Sequence, residues 1–60
     1  MFNYILKVFS PMQQKEIEFR FVCKSDKEAI KKAPELYFTK HIINVSKFIN
    51  GGYLIIKKFN

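Results

Sequence analysis

Asn50-Gly51-Gly52, set between two apolar runs, constrains this chain more than any other stretch. Asn-Gly in that setting is the strongest short hairpin signal, because both residues accept the positive φ that a tight two-residue turn demands. Residues 42–49 and 53–59 therefore read as two antiparallel strands. A two-residue loop pairs Phe48 with Tyr53, whereas a three-residue loop pairs Ile49 with Tyr53. The two registers place different residues in the core, and the sequence leaves the choice open.

A second hairpin precedes it. Residues 2–9 are dominated by aromatic and β-branched side chains, with Phe2, Tyr4, Leu6 and Val8 sharing one face at period two. Ser10-Pro11 closes that strand, since proline lacks the donor a central strand needs. Residues 16–23 alternate more cleanly still: Ile17, Phe19, Phe21 and Cys23 face one way, and Glu16, Glu18 and Arg20 the other. The short link makes the pair antiparallel.

Between the hairpins, Ser25-Asp26-Lys27-Glu28 has the form of a capping box, with acids at the positive end of the helix dipole. Ala29, Ile30, Ala33 and Tyr37 follow at helical spacing, with Lys27, Lys31 and Lys32 outside. Pro34 removes a hydrogen bond and crowds the Ile30 carbonyl, so the helix either kinks there or stops at Ala33. A kink or restart is expected, because Leu36 and Tyr37 still need burial. The order ββαββ predicts a single α+β domain over residues 1–60, a four-stranded antiparallel sheet with one helix packed on one face. One short helix covers only one side. The other side then carries Ile5, Phe9, Val22 and several residues of the last hairpin, an exposed apolar and aromatic patch of the kind that makes contacts.

Sixty residues are one domain, and so small a domain is marginal in stability. Cys23 is the single cysteine, so no disulfide forms within the chain, and one His with one Cys do not make a tetrahedral metal site. No metal or cofactor is expected. Lys7, Lys40 and Lys47 interrupt every apolar run, so no membrane span is expected. A lone thiol and an N-terminus without signal-peptide features point to the cytoplasm.

Catalytic pairings are poorly supplied. Cys23 with His41 is the only nucleophile–base candidate, yet Cys23 lies among phenylalanines on an apolar face, where a thiol is inert. Glu16 and Glu18 share a face with Arg20 and read as a solvated outer surface. Gly51-Gly52 is a hairpin turn rather than a phosphate loop. The chain reads as a non-enzyme.

Charge points instead to binding. The net charge of +6 comes wholly from the ends: Lys7 and Lys15 before residue 16, and Lys40, Lys47, Lys57 and Lys58 after residue 35, with all five acids in the balanced middle. If the end hairpins lie side by side, the expected product is one basic, aromatic wall on the face opposite the helix. Its candidate contact residues are the anchors Phe9, Phe48 and Tyr53, with Lys7, Lys47, Lys57 and Lys58 for orientation and on-rate. Two partner classes fit. One is a protein covered at its functional surface. The other is single-stranded DNA or RNA, bound without sequence specificity by lysines on phosphates and by Tyr4, Phe48, Tyr53 or Phe59 on unpaired bases. Arginine, the preferred base reader, occurs once, which weighs against sequence-specific recognition. Self-association into a homodimer through an edge strand is a third reading.

A hairpin before an acid-capped helix, closed by a hairpin such as Lys47-Phe48-Ile49-Asn50-Gly51-Gly52-Tyr53, resembles the short antitoxins of T-even-like phages. The likeness covers the whole chain as an order of elements. It implies a phage or mobile-element protein that inhibits a host RNase toxin or other nucleic-acid enzyme by binding over its catalytic domain. No individual residue role is carried over.

Overall fold

The computed structural model describes residues 1–36 and 41–59. Tyr37 and Lys40 lie outside the described residues. Four strands, β1 (Phe2–Ser10), β2 (Lys15–Cys23), β3 (Ile42–Ile49) and β4 (Gly52–Lys58), form one antiparallel sheet in the order β2-β1-β3-β4. One helix, α1 (Asp26–Leu36), connects β2 to β3. The fold is thus the expected ββαββ, with the two hairpins joined side by side through β1 and β3.

Local chemistry sets each boundary. Asn50 (φ 50°) and Gly51 (φ 83°) form the two-residue turn, which pairs Phe48 with Tyr53 and Ile49 with Gly52. That decides the register left open by the sequence. The Ser25 hydroxyl accepts a hydrogen bond from the Glu28 amide at 3.2 Å, and its carbonyl accepts one from the Ala29 amide at 3.0 Å. This is the capping geometry that Ser-x-x-Glu favours at a helix start. The helix runs through Pro34 to Leu36 instead of stopping at Ala33. Pro34 lies on the exposed side, so the bond it forfeits faces water rather than the core.

Ala29 and Ala33, one turn apart, sit on the face of α1 that meets the sheet, and both are fully buried. Their small side chains bring the helix close over Tyr4, Leu6 and Val8 of β1, Val45 and Ile42 of β3, and Cys23 of β2, all buried in one cluster. Lys27, Lys31 and Lys32 point to solvent. The helix does not shield the whole of its own side: Phe19 at one margin and Leu54 at the other remain exposed.

The sheet also carries two irregularities that set which side chains share a face. A bulge in β1–β3 pairing falls between Lys7 and Val8, and another in β3–β4 pairing falls between Val45 and Ser46. The second pairs Val45 with Lys57 and Ser46 with Ile55, leaving Ile56 as the extra residue. A bulge reverses the alternation of the strand beyond it.

Candidate functional site

Pairing register identifies the side chains on the face turned away from the helix. Residues directly opposite each other on antiparallel strands share a face. Asn3 with Val22, Ile5 with Arg20, Lys7 with Glu18 and Phe9 with Glu16 line β1 and β2. Asn44 with Lys58, Ser46 with Ile55 and Phe48 with Tyr53 line β3 and β4. Phe9, Val22, Phe48, Tyr53 and Ile55 are 39–46% exposed there, so the apolar face expected from the sequence is present. Ile5 is the exception. It was expected to be exposed but is buried, because it lies on a central strand between Arg20 and Ser46 and is flanked on both sides.

Five of the seven candidate contact residues share this face: Lys7, Phe9, Phe48, Tyr53 and Lys58. Phe48 and Tyr53 meet edge to face, with ring centroids 5.1 Å apart. Phe9 is not brought to them. It stands six residues along β1 from Asn3, or about 20 Å at ~3.3 Å per residue, where its ring meets His41 at 6.4 Å.

The other two lysines are elsewhere. Lys47 registers with Tyr4, a core-facing residue, so the pairing of β3 with β1 sets it on the helix side, opposite to its chain neighbour Phe48. Its ammonium lies 3.0 Å from the Asp26 carboxylate and 3.9 Å from the centre of the Phe2 ring. Lys57 would have shared a face with Tyr53 and Ile55 in an unbroken strand. The bulge at Ile56 moves it opposite core residue Val45, with its ammonium 6.0 Å from the Phe59 ring, and Lys58 takes the place on the open face. The expected single cationic wall is therefore not formed. The end lysines divide between the two faces.

Lys47 belongs to a cluster that pins the helix start to the sheet. The Tyr4 hydroxyl donates to Asp26 Oδ1 at 2.8 Å, and the same oxygen receives the Lys47 ammonium. The Lys47 hydrogen bond, then that from Tyr4, holds the Asp26 carboxyl below its ordinary value of 3.8, against an opposing effect of desolvation. Burial, then the hydrogen bond to Asp26, pushes the Tyr4 phenol from 10.0 up to about 12. Both shifts favour the native charge states near neutrality. The Asp26 contribution is complete above pH 3.8 and is lost as pH falls through its lowered folded value. The Tyr4 contribution is complete below pH 10.0 and is lost as pH rises towards about 12. Tyr4→Phe is expected to lower stability by about 1 kcal/mol at neutral pH, roughly 4–8 °C in Tm for so small a domain. It should also flatten the alkaline limb. Thermal melts across pH 8–12 check this (the interval spans the shifted phenol), and identical alkaline profiles for Tyr4→Phe and the parent would contradict it.

Two hollows mark the open face. The first, of about 350 Å³, is lined by Asn3, Arg20, Val22, Phe48 and Tyr53, together with Tyr4 and Phe21. The second, of about 330 Å³, lies over Ile5, Asn44 and Ser46 and is bordered by Lys7, Glu18, Arg20, Tyr53 and Ile55. Arg20 and Tyr53, on opposite edge strands, border both. Asn3 and Arg20 were not among the candidates from the sequence, which placed Val22 on this face without counting it among the contact residues. The period-two pattern of residues 16–23 placed Arg20 outward, but it read as a neutralising neighbour of Glu16 and Glu18. In the fold Glu16 lies 3.9 Å from Lys7 instead.

Cys23 is buried opposite Phe2 at one end of β1, while His41 sits at the other end, its carbonyl accepting from the Phe9 amide at 2.8 Å. The sheet thus separates them by the length of a strand, and they form no nucleophile–base couple. Among the described residues no three His, Cys, Asp or Glu side chains cluster to hold a metal ion, and no helix is long and apolar enough to cross a membrane. No protein-family model, curated protein or solved structure matches the chain.

Proposed function

We propose that this chain is a non-catalytic binding protein that docks on another protein through the open sheet face and acts by covering its partner's surface. One observation carries the reading: the exposed aromatics and aliphatics of that face are accompanied by almost balanced charge. Among the described residues, Lys7, Arg20 and Lys58 stand against Glu16 and Glu18, a net of one positive charge on the face of a chain whose total is +6. Apolar anchors with a mixed charged rim suit a protein interface. Single-stranded nucleic acid calls for a continuous cationic track beside its stacking platforms. Of the consecutive Lys57 and Lys58 only one stands on that face, and Lys47 is paired with Asp26 on the other.

The order of elements resembles that of short phage antitoxins, which supports a partner of the host nuclease or toxin class, inhibited by steric cover. The single buried thiol suits a reducing compartment, the cytoplasm. The test is affinity capture on the immobilised chain from host lysate, with and without nuclease, followed by titration of the purified protein recovered. Recovery unaffected by nuclease, with affinity only weakly dependent on salt, is expected. Recovery abolished by nuclease, together with saturable binding of a fluorescent oligothymidine below about 100 µM at physiological salt, would overturn the reading.

A further inference from the structure

Among the described residues, Arg20 is the only charged one lining the hollow at the hairpin end of the open face. Asn3, a short side chain on central strand β1, forms its floor; Val22 stands beside Arg20 on one side, and the paired rings of Phe48 and Tyr53 on the other. The Arg20 side chain is exposed and makes no hydrogen bond or ion pair with any described residue. The nearest acid on its own strand face, Glu18, lies two residues away, on the far side of Arg20 from this hollow, with Lys7 opposite it.

Resting on the protein-docking reading, we propose that this hollow receives an acidic side chain of the partner protein flanked by an apolar residue, the carboxylate bound by Arg20 and the apolar group seated against Phe48 and Tyr53. Guanidinium presents a planar fork that matches a carboxylate with two parallel hydrogen bonds. The surrounding rings and Val22 lower the local polarity and shed water when covered, which strengthens that contact relative to an open surface. A phosphodiester chain would find one cation here and, further along the face, Lys7 and Lys58 offset by Glu16 and Glu18. Charge complementarity therefore favours the carboxylate of a protein over a nucleic-acid backbone.

The test is titration of the isotope-labelled full chain with blocked pentapeptides Gly-Phe-Glu-Phe-Gly, its Gln analogue and its Lys analogue, read from amide correlation spectra. The Glu peptide should shift Asn3, Arg20, Val22, Phe48 and Tyr53, and bind roughly fivefold tighter than the Gln peptide, as for a partly exposed charge-assisted contact. Arg20→Gln should erase the difference between Glu and Gln peptides, while Tyr53→Ala should weaken both alike. Equal binding of Glu and Gln peptides in the hollow would overturn the acidic preference and leave protein docking standing. Absence of saturable shifts there would overturn the site. Shifts in the hollow produced by oligothymidine and by none of the peptides would overturn both the site and the protein-docking reading.

Discussion

Leu6→Ala should leave the chain largely unfolded at room temperature. Leu6 is fully buried at the centre of β1, paired with Phe19 on one side and Val45 on the other. Truncating such a leucine removes its transfer free energy and leaves a cavity, a loss of about 2–5 kcal/mol. A domain of 60 residues holds only about 3–9 kcal/mol in total, at ~0.05–0.15 kcal/mol per residue. The loss is then comparable to the whole. Urea titration followed by far-ultraviolet circular dichroism should show little or no folded baseline for the variant. A midpoint within a few tenths molar of the parent would mean that the helix–sheet core is not where the stability resides.

The second large effect concerns binding. Phe48→Ala should weaken the complex with the captured partner by about 2 kcal/mol, roughly thirtyfold, as for a truncated aromatic anchor at an interface centre. Phe48 is 43% exposed in the free chain, so the fold should tolerate its loss. Lys57→Ala should change affinity by less than about 0.5 kcal/mol, since Lys57 is turned to the side of Val45 and Phe59. Calorimetric titration of both variants gives the comparison directly. Equal losses for Phe48→Ala and Lys57→Ala would point to an electrostatic surface rather than an aromatic one.

Much of this architecture was legible because local and global signals agree. The alternation of residues 16–23, the Ser25 cap and the Asn50-Gly51 turn each select one local structure, and the sheet order satisfies all three. Period two set Phe9 apart from Tyr4, Leu6 and Val8, whereas the shared face of Phe48 and Tyr53 waited on the choice of turn. The lysines were a different matter. Lys47 and Phe48 are consecutive on β3, so period two already sets them on opposite faces. The bulge at Ile56, which no residue type in Ile55-Ile56-Lys57 announces, decides that Lys58 rather than Lys57 reaches the open face. Which of Lys57 and Lys58 faces outward is decided by cross-strand pairing, which a linear pattern does not encode. Ile5 shows the same limit: its burial comes from Arg20 and Ser46, on strands far from it in sequence. Arg20 was hidden by its neighbours in the chain. Proximity to Glu16 and Glu18 along the strand suggested neutralisation, whereas the sheet brings Lys7 to those acids instead.

The proposed contact face can be distinguished from the opposite face at two adjacent residues. Tyr53 and Leu54 are consecutive on β4 and both exposed, at 46% and 59%, but Tyr53 lies with Phe48 on the open face and Leu54 with Lys47 on the helix side. Affinity of the nuclease-resistant captured partner for Tyr53→Ala and Leu54→Ala, measured side by side, separates the two surfaces while holding strand, exposure and truncation nearly constant. Tyr53→Ala should lose binding and Leu54→Ala should retain it. Loss at Leu54 with binding intact at Tyr53 would place the interface on the helix side and contradict the account.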